Sequence, residues 1–453
     1  MSRCAWGPGQ RLITAGLVFM TTAVGFEGLA VPTVLPAALD ELGGLPLYGW
    51  AFAGFWLANL VGIVLAGYEA DRRGPLMPFV AGAALFAAGL GIAGVAPDMA
   101  WIVAGRVIQG LGGGAIASIT YIVIARGYDA AAQPRMIAIT SSAWVLPGIL
   151  GPAAAGYIAQ ELSWRWAFLG LAPLLPLAAV LMVKPMRSLH GRTERPASGE
   201  RPGGRVLDAL QLAVAGALLL AAGNAGQPLL AGGALVGGGV LIVRPLRRLL
   251  PDGTLQARRG RGAVTAVIGL VCAAFFGAEA FIPLTVSSVR GAGTIAGGLA
   301  LTAATVTWAA GSWVQARLAE RGHRAWLTAA GALLIAVGIG IQVAIAVTAL
   351  ATYWAAIGWA IAGLGMGVAY SLATLTSIQS APAGGEGAAS ASVQLANTLG
   401  IALGTGAAGA VVGLGAVPLG LAPAIAIAQL TMLVVCSLAI TVSGRVPSGR
   451  QGA

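Results

Sequence analysis

The sequence predicts an all-α polytopic membrane protein, made of two related six-helix bundles with a two-helix insert between them. Three observations carry this. With 58% hydrophobic and 9% charged residues among 453, the chain cannot present water with a tolerable surface on every side. Its apolar residues fall in fourteen runs, close to the roughly 20 residues that cross a bilayer as helix. Local features also recur at a spacing of about 250 residues, the mark of a duplicated unit.

Taken in order, the first run, 12–39, follows a short basic tail. It is far longer than a signal-peptide core and has no small-residue cleavage site before its loop, so it reads as a retained first helix. It contains Glu27, in Gly25-Phe26-Glu27 followed by Pro32. The second run, 48–68, leads into Ala70-Asp71-Arg72-Arg73-Gly74, and the third is 76–96. The fourth, 100–125, holds Arg106 and the glycine run Gly110–Gly114. In an apolar helix such glycines let a neighbouring helix approach closely rather than cradle phosphate. The runs 135–159 and 165–183 complete the first half.

Segment 184–262 is surplus to the repeat and carries two shorter runs, 206–222 and 229–243, between basic flanks. A spanning hairpin is expected, because a single crossing would invert the second half and move Arg317, Arg321 and Arg324 to the other side. The alternative is a stretch that re-enters or lies in the interface, leaving twelve crossings. The flanks 184–205 and 244–262, rich in Pro, Gly and Arg, read as mobile linkers. The second half comprises 263–289, 295–317, 325–348, 352–379, 388–413 and 421–443. There Gly277-Ala278-Glu279 is followed by Pro283, Ala319-Glu320-Arg321-Gly322 echoes the loop at Asp71, and Gly363-Leu364-Gly365-Met366-Gly367 echoes Gly110–Gly114. The expected units are 1–183, 184–262 and 263–453.

The net charge of +11 does not require a nucleic-acid partner. With both termini cytoplasmic, every basic residue except Arg106, Arg165 and Arg290 falls on the cytoplasmic side, which is the positive-inside bias. Cys4, Cys272 and Cys436 show no pairing or metal spacing. There is no G-x-x-x-x-G-K-[ST] sequence, the only lysine is Lys184, and His190 and His323 lie far apart in loops. An enzyme, a resident cofactor and a metal site are therefore not expected, and active transport would draw on a gradient of ions or substrate. The near replacement of lysine by arginine and the wealth of Ala and Gly point to a GC-rich bacterial genome, hence to the cytoplasmic membrane.

An ionisable group within a crossing is a functional candidate by default. Glu27 can bind and release a proton as its access alternates, or be locked in a permanent ion pair with Arg106 that braces the first and fourth helices. Arg106 can pair with that acid or snorkel to the surface. Glu279 can bind a cationic substrate, act as a second proton site or face an aqueous cavity. Asn59, Gln109, Ser141, Ser142, Trp144, Thr305, Trp308, Tyr370, Gln394 and Asn397 are candidates to line a cavity, or to hydrogen-bond between helices. A wide cavity with few fixed polar groups suits apolar or amphipathic cargo.

Several of these motifs resemble the major facilitator superfamily, in particular its fourteen-span drug:proton antiporters, over nearly the whole chain. Gly67-Tyr68-Glu69-Ala70-Asp71-Arg72-Arg73-Gly74 is similar to the loop after the second helix, which implies that Gly67, Asp71, Arg72, Arg73 and Gly74 form a cytoplasmic latch against the other half. Pro75 stands where that loop has another basic residue. Arg106-Val107-Ile108-Gln109-Gly110 resembles the fourth-helix motif whose arginine is implicated in proton transfer. Gly148, Gly151, Pro152 and Gly156 fall in a stretch similar to the antiporter motif of the fifth helix, and Ser163-Trp164-Arg165-Trp166-Ala167-Phe168 resembles the marker after it. Glu27 through Pro36 is similar to D-x-T-I-V-N-V-A-L-P, with Leu29 and Pro32 at the threonine and asparagine positions.

The resemblance implies the major facilitator fold and alternating access, and Glu27, Arg106 and Glu279 are the candidates for proton coupling. The expected activity is export of small hydrophobic or amphipathic compounds in exchange for protons, by a monomer in the bacterial inner membrane. Lipid or lipid-precursor export, and a non-transporting sensor or channel, are the alternatives.

Overall fold

Backbone polar groups in hydrocarbon must be satisfied within the segment, so long apolar runs fold as helix. The computed structural model describes residues 8–129, 132–187, 202–223, 228–318, 324–381 and 386–447, and among these there is no strand. The first half contains α1 (Pro8–Leu42), α2 (Tyr48–Arg73), α3 (Leu76–Gly94), α4 (Met99–Gly127), α5 (Gln133–Ser142), α6 (Val145–Glu161), α7 (Arg165–Leu169) and α8 (Leu174–Arg187). The insert is α9 (Pro202–Ala222) and α10 (Pro228–Leu249). The second half contains α11 (Arg261–Glu279), α12 (Ile282–Leu284) with a π turn at Thr285–Val289, α13 (Gly293–Leu318), α14 (Arg324–Val347), α15 (Trp354–Gln379), α16 (Glu386–Leu419) and α17 (Leu421–Ser443).

Among the described residues thirteen stretches are long and apolar enough to cross a membrane. The difference from the expected fourteen lies at 135–159, which is not one helix but α5 and α6, broken at Ala143–Trp144. Pro147 has no N–H to offer the carbonyl of Ala143 and its ring crowds that carbonyl. The Ala143 oxygen instead accepts the hydroxyl of Thr22 on α1, at 3.2 Å. Run 263–289 is likewise interrupted: Pro283 removes the bond that the carbonyl of Glu279 would accept, so α11 ends at that carboxylate.

The duplicated glycines are seats for close helix crossings. A Cβ on Gly110 or Gly114 of α4 would run into the backbone of α2 at Phe55 and Asn59, and one on Gly363 or Gly367 of α15 would run into α13 at Ala304 and Trp308. The same crossing is therefore built twice, with partners displaced by about 250 residues in sequence. Gly114→Val is expected to cost about 1–3 kcal/mol or more through overpacking. It should appear as a lower apparent Tm of the purified protein in detergent, and an unchanged Tm would contradict the seat.

The two bundles meet along α6 against α13 and α2 against α16. Thr294 Oγ1 donates to the Gly156 carbonyl at 3.0 Å, and Tyr48 OH to the Ala280 carbonyl at 3.2 Å. Gly49 and Gly409 face each other with no room for a Cβ. These contacts lie at the end opposite the arginines of the α2 and α4 termini.

The insert is two helices of crossing length, with 229–243 extended to Leu249. α9 wedges between the halves, Leu212 packing with Leu60 and Leu399, and Leu220 with Ala53, Leu57 and Ala402. α10 leans on α9 through Gln211 Nε2, which donates to the Leu241 carbonyl at 2.9 Å. Residues 244–262, expected as a mobile linker, instead continue α10 and then form turns tied to the far C-terminus. Arg445 Nη1 donates to the carbonyls of Gln256 and Ala257, both at 3.2 Å. Residues 188–201 of the other expected linker, with His190, and the 319–323 loop, with Glu320, Arg321 and His323, lie outside the described residues.

Candidate functional site

Glu27 is fully buried on α1, where it meets α4. Its Oε1 accepts from Arg106 Nη1 and, at 3.2 Å, from Gln109 Nε2. Arg106 and Gln109 are three residues apart and so share one face of α4. Gln109 Oε1 accepts from Arg106 Nη1 at 3.3 Å, closing a triangle of polar groups. The guanidinium is itself held from α2: its Nε donates to the Ala51 carbonyl at 3.0 Å, and it lies over the Phe55 ring at 4.2 Å. Glu27 Oε2 is buried and meets no donor among the described residues. One carboxylate oxygen is thus committed to the cation while the other is left without a hydrogen.

The second half contains a related pair with different chemistry. Glu279 on α11 is 7% exposed, and its Oε2 accepts from Trp359 Nε1 on α15 at 3.0 Å. Trp359 follows Arg106 at the repeat spacing of about 250 residues, just as Glu279 follows Glu27. Phe275 stacks on Trp359 with ring centroids 4.6 Å apart, as Phe55 underlies Arg106. The duplicated site has exchanged a cation for a neutral N–H donor, so Glu279 has no positively charged partner among the described residues.

The expected cavity-lining residues divide into groups. Gln109 belongs to the Glu27 triangle and is fully buried, while Asn59, 6% exposed, is a seat for Gly114. Trp144 sits at the α5–α6 break, 44% exposed, with its ring beside Gly25. In the second half, Trp308 packs edge-on against Tyr370 at 5.9 Å, and Asn397 Nδ2 donates to Tyr370 OH at 2.8 Å. Gln394 is exposed one turn before Asn397 on α16. These candidates thus gather into a polar triangle in one half and an aromatic group in the other.

The latch residues make their contacts within their own half. Asp71 pairs with Arg126 Nη2 of α4 at 2.9 Å, within its own half. Arg72 donates to Tyr68 OH at 2.7 Å, and Arg73 lies 3.4 Å from Glu69, so both turn back onto α2 rather than reaching across. The close α2–α4 crossing brings the two helix ends together and puts Arg126 beside Asp71. Gly67 packs beside Ser118, and Gly74, at φ +83°, ends α2 in a conformation that favours glycine.

The antiporter-like stretch forms the seam between halves. Gly148 packs on Thr305, the Pro152 carbonyl on Gly298, and Gly156 on Thr294 and Ile295, while Gly151 faces Phe26 and Leu29 of α1.

Residues 13–405 match the sequence profile described as Major Facilitator Superfamily. The chain belongs to this family.

This major facilitator protein is 27% identical over 421 residues to the "Probable multidrug-efflux transporter Rv1634" of Mycobacterium tuberculosis (strain ATCC 25618 / H37Rv), covering 89% of this chain and 87% of that one. It is 26% identical over 185 residues to the "Multidrug transporter protein MdtP" of Bacillus subtilis (strain 168), spanning 41% of this chain and 34% of that relative. The match therefore spans about a third of MdtP's length. Among solved structures, an inward-facing, unoccupied bacterial homologue of the human lysosomal transporter Spinster superposes with a TM-score of 0.68 at 14% identity, covering 97% of each chain. The major facilitator protein thus has the helices of a multi-pass membrane protein.

Sequence reasoning missed several members of its site. Trp359, Phe55 and Thr22 carry no local signal, being ordinary residues in apolar helices. Trp359 was open to discovery through the repeat, by asking what stands at the position of Arg106 in the second half.

Proposed function

We propose that this transporter exports small hydrophobic or amphipathic compounds in exchange for protons, as a monomer in a bacterial inner membrane with both termini cytoplasmic. The observation that carries the reading is the Glu27–Arg106–Gln109 triangle, in which a buried carboxylate keeps one oxygen on the cation and one without a donor. A proton arriving on Glu27 cancels its charge and releases Arg106. Its departure restores the pair.

That exchange supplies two electrostatic states at the α1–α4 contact, which is what a group coupled to alternating access needs. Export as the direction is supported by the multidrug-efflux names of the relatives and by the antiporter-like residues at the seam. The inter-half bonds at Gly156 and Ala280 gather at the end away from the arginines, the arrangement expected of a state closed on the outer side. Apolar cargo is supported by the aromatic group of Phe276, Trp308 and Tyr370. Glu279 is the second protonatable group in the scheme.

The test is efflux of a fluorescent hydrophobic dye from cells producing the protein. Extrusion should exceed that of cells without it and stop on addition of a protonophore. Extrusion that persists when the proton gradient is collapsed would overturn proton coupling, and dye retained equally in both cell types across a varied compound panel would overturn the cargo class.

A further inference from the structure

The inserted hairpin carries a groove that the transport reading leaves unused. Gly239, Val240, Val243, Arg244, Arg247 and Arg248 of α10 line an open space of about 580 Å³. Their three- and four-residue spacings put them on one face of the helix. α10 packs on α9 through its other side, where Gly238 meets Leu219 and Ala215, and Arg248 at the edge of the groove reaches Asp208. The groove therefore faces outward, toward lipid.

Along that face the chemistry changes from apolar to cationic. Val236 and Val240 are 68% and 69% exposed, a degree at home in hydrocarbon, and the arginines follow in the last turns of the helix. Arg248 has an acid beside it, Asp208 of α9 at 3.5 Å. Arg244 and Arg247 have no acidic partner among the described residues. A cationic cluster at the edge of an apolar crossing sits at the depth of lipid phosphates.

We propose that this groove binds an anionic phospholipid, its phosphate on Arg244 and Arg247 and the start of an acyl chain along Val240 and Val236. Guanidinium groups match phosphate oxygens in a bidentate fork, and the valines give the chain an apolar track. Free phosphate is also anionic but has nothing to place on the valines, so the site takes its phosphate from the membrane. Because α9 packs on both Leu60 of α2 and Leu399 of α16, a lipid bracing the hairpin also braces the element lying between the halves.

The experiment uses the full chain reconstituted in phosphatidylcholine, with spin-labelled phosphatidylglycerol or phosphatidylcholine as probe. The wild type should associate preferentially with the anionic probe. Arg244→Gln/Arg247→Gln should lower that preference about five-fold or more, as should Val240→Trp, which fills the apolar part. The exposed pair Arg258→Gln/Arg259→Gln, outside the groove, should leave it intact, and excess inorganic phosphate should not compete. The proposal is overturned if the groove variants keep the wild-type preference, if the control pair loses as much, or if inorganic phosphate displaces the lipid. All variants alter exposed residues, and unchanged helicity by circular dichroism establishes that they fold.

Discussion

Glu27→Gln is expected to lower proton-driven efflux from reconstituted vesicles by about 100-fold or more, equivalent to losing about 2.7 kcal/mol of coupling. The amide is nearly isosteric with the protonated carboxyl, so the variant is held in the neutral state of the exchange. What disappears is the ability to take and release a proton beside a cation. Cargo counterflow with no gradient should therefore persist, which separates lost coupling from lost folding. Gradient-dependent export retained by this variant would end the assignment of Glu27. Glu279→Gln offers a contrast, since the indole N–H of Trp359 can donate to an amide oxygen as readily as to a carboxyl. Its loss of efflux is expected to stay within about ten-fold.

Arg106→Gln is expected to be the more damaging change to the fold, costing about 3–5 kcal/mol, because it leaves a fully buried carboxylate without its cation. The bond to the Ala51 carbonyl and the contact with Phe55, worth about 0.5–2 kcal/mol, go with it. Glu27→Gln/Arg106→Gln should recover most of the loss, since two amides leave no isolated charge. Thiol labelling in a Cys4→Ser background reads this directly, because Cys272 and Cys436 are buried and become reactive only on opening. The single variant should label faster than wild type, and the double variant close to the wild-type rate. Equal labelling of single and double variants would show that the pair does not stabilise the fold against global opening.

Both expectations start from residues that the sequence exposes as anomalies. A carboxylate or guanidinium in an apolar run stands out without any structure, and Glu27, Arg106 and Glu279 were legible for that reason. Gln109 was legible as a polar residue but not in its role, since its contact with Glu27 depends on how α4 is rotated. The latch shows the same limit: Asp71 and the neighbouring arginines were found, yet their partners depend on which helix ends meet, and Asp71 meets Arg126. The broken fifth crossing was hidden too. Pro147 signals a lost backbone bond, but whether the helix kinks or splits depends on what satisfies the freed carbonyl, and Thr22 lies more than a hundred residues away.

Composition and run length determined the membrane setting and the helical class, because bilayer thickness and backbone desolvation act on each segment separately. The duplicated glycines further implied that one helix crossing is used twice. Only the tertiary structure decided that Glu27 faces a cation across 79 residues of chain while Glu279 faces an indole across 80. Helix rotation and crossing place those side chains together, and both are set by packing among segments that no local pattern encodes.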